Sequence, residues 1–303
     1  MEERDSIGRL EARFLESNLP PELTGFSSRE QQSQNSVVHE LGKNGIAFIP
    51  DVYTSSEITD LKNYFADREA IHFNDNPGES SAHTARIGSA PGDWRFAVFQ
   101  QDDISANPII SRVAHSRELI DIAAHYLGAA PTITILTSWW SFPAQLPRGG
   151  MQYFHHDRDD FRQVKLFVYL TDVDDRSGPH IFVKKTHSSD VLMEWAQQAL
   201  PKAESIASFW QWMEFHRKTD ETVNQIFPAE WVTNIVGSRG TSFFEDTRGL
   251  HRGLPPQSHN RLIFQICYSL MPKLNETYTP IPRPSGTATD ELSRYACRLF
   301  YKE

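Results

Sequence analysis

Apolar residues recur at spacings of three and four near the start of the chain and at every second position in several runs further on. Val37 to Lys43 has the helical spacing, Gly45 stands where a helix ends in a left-handed residue, and Ile46 to Pro50 reads as a short strand. Thr54 or Ser55 caps a second helix, whose apolar positions are Ile58, Leu61 and Phe65. From Phe73 to Gln101 the pattern dissolves into Asn, Gly, Ser and Pro. That predicts a long loop, either a flap at a site's mouth that offers Arg86 and Arg95 to a substrate, or an ordinary surface loop. Ile110 to Gly128 predicts one amphipathic helix and Thr132 to Phe142 a β-run.

Two later strands carry the clearest alternation. In Lys165 to Thr171, Leu166, Val168 and Leu170 share one face; Lys165, Phe167, Tyr169 and Thr171 share the other, which suits a barrel interior holding a small polar ligand or a solvent face. In Arg261 to Leu270 the same period puts Arg261, Ile263, Gln265 and Cys267 together, which aims Arg261 and Gln265 into one cavity. Strict alternation bounded by Gly and Pro turns points to a β-sandwich or barrel with flanking helices, an α+β chain that is mainly β.

The remaining segments set the boundaries. Residues 1–35 read as a polar leader, a short helix and then a loosely held stretch, and residues 36–303 as a single domain. Within it, about 188–235 is a mainly helical insertion that holds four of the seven tryptophans, Trp195, Trp210, Trp212 and Trp231. Such a stripe serves as a lid, as an interface or simply as core. The tail from Thr279 to Pro284 is extended, and Glu291 to Phe300 predicts a closing helix.

At 303 residues, 39% hydrophobic, the chain is long enough to bury a full core. Its net charge of −9 argues against nucleic-acid and anionic-membrane partners, both of which need a basic surface, and leaves a small molecule as the expected partner. A local basic pocket around Arg86, Arg95 or Arg252 would still take a small anion. Cys267 and Cys297 are too few for a disulfide framework, and Cys267, in an apolar strand, reads as a small hydrophobe. With no apolar run long enough for a bilayer and no signal-like N-terminus, the expected location is the cytoplasm. Oligomeric state is not readable.

The chemistry lies in Gln152-Tyr153-Phe154-His155-His156-Asp157. In an extended segment residues two apart face the same way, so His155 and Asp157 reach one ion while His156 points away. Alone, such a pair also describes a charged loop, as Arg158, Asp159 and Asp160 illustrate. The order of features changes the odds: a distant His251 follows the β-like run Thr241 to Phe244, and Arg261 follows it. Two imidazoles and one carboxylate are the ligand set of a mononuclear non-haem iron(II) oxygenase, with positions left for a bidentate co-substrate and dioxygen. Arg261 suits the distal carboxylate of a 2-oxoacid, because a guanidinium grips a carboxylate through two parallel hydrogen bonds. Lys165 is a candidate second contact to that co-substrate.

The chain resembles the phytanoyl-CoA dioxygenase-like family of Fe(II)/2-oxoglutarate oxygenases in four places. These are Val38 to Val52 with Ser56-Glu57-Ile58; Gln152 to Asp157; Leu166 to Leu170 with Asp172, Ser177-Gly178-Pro179-His180 and Lys185-Thr186-His187; and His251 to Pro255 through Arg261. Together they cover most of residues 36–275. The chain departs from the pattern in having Lys185-Thr186 where Gly-Ser is usual, and in the insertion after His187.

The resemblance implies a double-stranded β-helix core of the jelly-roll or cupin kind, with His155, Asp157 and His251 on Fe(II) and Arg261 on 2-oxoglutarate. It also implies oxidative decarboxylation of 2-oxoglutarate by O2 to succinate and CO2, coupled to hydroxylation of an unactivated C–H of a small molecule or natural product. Desaturation or cyclisation draws on the same oxidant. Related halogenases carry a small residue at the position of Asp157, so an acid there argues against halogenation. Two other readings remain: a cupin-like metalloenzyme that does not use 2-oxoglutarate, and a non-catalytic ligand-binding protein on the same fold.

Overall fold

A computed structural model describes residues 2–27, 35–50, 52–200, 202–215, 217–274 and 276–302. The polar stretch 28–34, the end of the expected loose leader, lies outside the described residues. Along the chain the helices are α1 (Glu2–Asn18), α2 (Ser36–Asn44), α3 (Ser55–Ala66), α4 (Gln101–Ser105), α5 (Pro108–Ala114), α6 (Arg117–Leu127), α7 (Ser189–Ala199), α8 (Ala203–Glu214), α9 (Asp220–Ile226) and α10 (Glu291–Cys297). The strands of the two main sheets are β1 (Ile46–Ile49), β2 (Glu69–Phe73), β3 (His83–Arg86), β4 (Phe96–Phe99), β5 (Thr132–Ser141), β6 (Phe154–His155), β7 (Gln163–Tyr169), β8 (His180–Val183), β9 (Arg217–Lys218), β10 (Val232–Ile235), β11 (Ser242–Glu245), β12 (His251–Gly253) and β13 (Arg261–Ser269).

The strands form a large antiparallel sheet ordered β1-β11-β7-β13-β5-β4-β2-β3 and a small one ordered β10-β8-β12-β6-β9. They face each other as the two leaves of a jelly roll, without closing into a barrel. Between them lies a core of Ile46, Phe167, Tyr169, Phe243 and Ile263 from the large sheet and Phe182 and Ile235 from the small one. The Tyr169 hydroxyl donates to the Ile235 carbonyl at 2.9 Å and pins the leaves together. The opposite face of the large sheet, with Leu166, Val168, Leu262, Phe264 and Ile266, packs on α2, α3 and α5 to α6 in the main core. Period-two alternation thus sends Leu166 and Val168 to the helices and Lys165 and Phe167 to the space between the leaves.

Local chemistry explains the helix ends. The Asn35 side chain accepts from the backbone N–H groups of Val37 and Val38 to start α2, and Gly45 ends it in the left-handed conformation at φ 79°. Thr54 starts α3 with a reciprocal capping box to Glu57.

Three expectations change. Residues 73–101 are not one long loop: β2 pairs with β3 on one side and with β4 on the other, which extends the large sheet. The helix expected over 110–128 is two helices, because α5 ends at Ala114 and α6 begins at Arg117. The leader contains the 17-residue α1, which is docked: Asp5 pairs with Arg248 and accepts from the Ser189 backbone N–H at 3.3 Å, while Arg4 donates to the Asp160 carbonyl at 2.8 Å.

The insertion's helices cover the outer face of the small sheet. Leu192, Phe209, Met213, Phe227 and Trp231 pack there against Phe154, Ile181 and Val183. This stretch also supplies β9 and β10 to the small sheet, so it is tied into the jelly roll by backbone pairing as well as by side chains.

Candidate metal centre

His155 ends β6 and His251 opens the neighbouring β12, directly opposite it in the antiparallel register. Their rings lie 4.3 Å apart between centroids. Asp157 follows two residues after His155, on the same face, and its backbone N–H donates to the Thr247 carbonyl at 2.9 Å. That bond ties the loop carrying the carboxylate to the turn that delivers His251. One ligand atom from each of His155, Asp157 and His251 lies within 4.8 Å of the others.

Hydrogen bonding selects the tautomers. The Nδ1 of His155 donates to the Tyr153 carbonyl at 2.8 Å and that of His251 to the Gly249 carbonyl at 3.0 Å. A carbonyl only accepts, so each proton sits on Nδ1 and the lone pair on Nε2. Those Nε2 atoms lie 3.8 Å (His155) and 3.6 Å (His251) from the Asp157 oxygens. Burial, reinforced by His251, pushes His155 down to about 3, so it stays neutral and able to ligate. His156 points the other way, its Nδ1 donating to the Arg248 carbonyl at 2.8 Å. Two imidazole nitrogens and one half-buried carboxylate fit a borderline divalent ion such as Fe(II).

Asp157 has a second partner. The Nζ of Lys165, reaching across from the large sheet, lies 2.6 Å from Asp157 Oδ2 and 3.4 Å from Asp159 Oδ2. Burial alone would raise the Asp157 carboxyl, but the ammonium of Lys165 outweighs it and holds the group far below the usual range. Conversely, the loss of water at Lys165 is outweighed by Asp157, which lifts Lys165 above its ordinary value.

One cavity contains the His155, Asp157 and His251 side chains together with Lys165, His180, Arg261 and Gln265, walled by Phe96, Trp139, Met151, Phe167 and Ile263. Arg261 is buried, with its Nη1 on the Gly178 carbonyl and its Nη2 3.3 Å from Ser141 Oγ. Its Nε has no hydrogen-bond partner, and among the described residues no carboxylate pairs with it. A buried guanidinium without an anion is a costly arrangement that a ligand carboxylate relieves. Gly253 makes room for it: a Cβ there would lie 3.1 Å from Arg261 Nη2.

Sequence reasoning did not single out His180 and Glu245. His180 on the small sheet meets Glu245 on the large one at 2.9 Å, between the leaves, and the His180 ring stacks 5.6 Å from that of His251. Burial raises Glu245 to about 8 and lowers His180 to about 3, so the pair is neutral and Glu245 donates to the imidazole. The available signal was an acid at the inward position of the run Phe243-Phe244-Glu245.

The other expected contacts lie elsewhere. Arg86 is exposed on β3, at the far edge of the large sheet. Arg95 is buried against the carbonyls of Asn74 and Pro147, and Arg252 pairs with Asp220 over the Phe154 ring. None of the three lines the cavity that holds the cluster.

No protein-family model matches the chain, and no curated protein matches it in sequence. Solved structures do match in shape. HygX from Streptomyces hygroscopicus, with nickel, 2-oxoglutarate and hygromycin B bound, superposes with a TM-score of 0.50 at 14% identity over 86% of this chain and 93% of its own. The non-haem α-ketoglutarate-dependent epimerase SnoN from nogalamycin biosynthesis gives 0.50 at 14% over 88% and 98%. At such identity the likeness establishes the fold: the chain is built on the jelly-roll core found in 2-oxoglutarate-dependent enzymes.

Proposed function

We propose that this chain is an Fe(II)/2-oxoglutarate-dependent oxygenase of the phytanoyl-CoA dioxygenase-like kind that hydroxylates an unactivated C–H of a small molecule. The observation that carries the reading is the pairing, in one cavity, of the His155, Asp157 and His251 cluster with a buried Arg261 that no carboxylate among the described residues pairs with. The cluster supplies three metal ligands, and Arg261 supplies the grip for the far carboxylate of a dicarboxylate co-substrate.

When bound, the iron and 2-oxoglutarate supply the oxidising power, with O2 as oxidant and succinate and CO2 as products. The chain's own residues bind and orient. The Tyr153 and Gly249 carbonyls hold the two imidazoles with Nε2 toward the ion. Phe96, Trp139, Met151, Phe167 and Ile263 give the cavity apolar walls that exclude water and present a substrate C–H to the metal. HygX with hygromycin B bound, and SnoN from nogalamycin biosynthesis, are in keeping with a natural-product substrate for this chain also.

The test is turnover. Purified protein with Fe(II) and O2 should convert 2-oxoglutarate to succinate, slowly alone and faster with an accepted substrate, and the conversion should stop in Asp157→Ala. Iron binding without succinate formation would move the chain to the metalloenzymes that do without 2-oxoglutarate.

A further inference from the structure

Lys165 is an unusual neighbour for a metal ligand. Its side chain projects from the inner face of β7 into the cavity that holds the cluster and Arg261, and it is only 7% exposed. The ammonium lies 2.6 Å from Asp157 Oδ2. Asp159, its other partner at 3.4 Å, is itself shared with Lys273 at 3.2 Å. The charged groups lining the cavity are Asp157, Lys165 and Arg261, a net charge of +1 in a place read as holding a divalent cation.

We propose that Lys165 is a positioning residue that acts as a fixed counter-charge in the metal cavity, weakening its hold on the divalent ion and strengthening its hold on the dianionic co-substrate. The inference rests on the functional reading above and deepens it. Two physical effects carry it. An ammonium hydrogen-bonded to one carboxylate oxygen leaves Asp157 one oxygen free of it, so Asp157 would offer an ion a single atom and leave room for the co-substrate. The same ammonium stands one carboxylate away from the ion, so it repels a dication and attracts a dicarboxylate.

The sizes separate this role from a purely structural one. A unit charge roughly 5 Å from a dication changes its affinity by about tenfold or more even at the dielectric constant of water, and by more in a dry cavity. A salt bridge that only shaped the site would, on removal, weaken both ligands together. A counter-charge moves them in opposite directions.

The experiment uses the full chain, anaerobically, with Co(II) as a spectroscopic stand-in for iron, followed by 2-oxoglutarate added to the Co(II)-loaded protein. Lys165→Gln keeps a donor for Asp157 without the charge, and Lys165→Met removes both. Each should bind Co(II) about tenfold tighter or more, and 2-oxoglutarate several-fold weaker, than the unaltered protein. Asp159→Asn, at a partly exposed position, should do the reverse, with weaker Co(II) and tighter 2-oxoglutarate, and it keeps the test decisive if a buried variant fails to fold. Unchanged affinities, or a loss of both, would overturn the role of Lys165 while leaving the triad in place. Failure of the unaltered protein to bind Co(II) would remove the functional reading first, and this inference with it.

Discussion

His155 and His251 face each other directly across two antiparallel strands, with ring centroids 4.3 Å apart and each Nδ1 proton held by a backbone carbonyl two residues earlier in its own chain segment. The register of β6 against β12 therefore sets the spacing of the two imidazoles, and the backbone sets their tautomers. Neither depends on a bound ion. The cluster is arranged by the backbone alone, so removing one imidazole should act on metal binding rather than on the fold. His155→Ala should lower Co(II) affinity by roughly a hundredfold or more, well beyond the effect of losing an outer partner. Calorimetric titration checks this; near-unaltered affinity would take His155 out of the ligand set.

Arg261 should separate the two cofactor sites. Arg261→Ala removes a buried, charged grip on a carboxylate, a loss on the order of 2–3 kcal/mol, or roughly a hundredfold in 2-oxoglutarate affinity. Metal affinity in the absence of 2-oxoglutarate should not fall, since Arg261 touches no ligand of the cluster. Titrating 2-oxoglutarate into the Co(II) protein reads the first effect, and a Co(II) titration without it reads the second.

Glu245 gives a pH signature. Its native carboxyl titrates near 8, against 4.5 for an unperturbed glutamate, because it is fully buried. Between those values the native state holds one more proton than the unfolded state, so this group's contribution is intact below about 4.5 and is lost as pH rises through about 8. Urea melts of the metal-free protein should show a decline on the order of a few kcal/mol over that window that is absent from Glu245→Gln. His180 pulls the other way at acid pH, so the difference between the two proteins isolates Glu245. Parallel profiles would contradict the neutral pair.

Lys185 carries backbone strain. It has φ 69° where the resembled family usually has glycine, and it is the positive-φ residue other than glycine among the described residues. Its ammonium lies 4.9 Å from the Trp231 ring centre, which offsets part of that cost. Lys185→Gly should change stability by about +0.5 to +1 kcal/mol, read as a rise in the midpoint of denaturant unfolding. A fall would mean that the contact with Trp231 outweighs the strain.

The cluster was readable because two of its members obey a local rule, i and i+2 on one extended segment, and because the third and Arg261 follow in order along the chain. The inward face of β7 was readable for the same reason: strict alternation separates Lys165 and Phe167 from Leu166 and Val168. What escaped is non-local. The pairing of His180 with Glu245 joins two leaves far apart in sequence, and the docking of Asp5 on Arg248 spans most of the chain. The extension of the large sheet by β2, β3 and β4 hid because β3 is four residues long, mostly exposed and set among Gly and Ser, so it lacks an apolar face to betray it. The break at His115-Ser116 hid inside an unbroken apolar period.

In the proposed function, one cavity holds a divalent ion on His155, Asp157 and His251 and a 2-oxoacid between that ion and Arg261. The most direct measurement is an anaerobic titration of the metal-free protein with Fe(II) and then 2-oxoglutarate, followed in the visible region for the weak charge-transfer band of a 2-oxoacid chelated to iron. The band should appear at one equivalent of each and be absent from His251→Ala. Iron bound by the unaltered protein with no band on adding 2-oxoglutarate would contradict it.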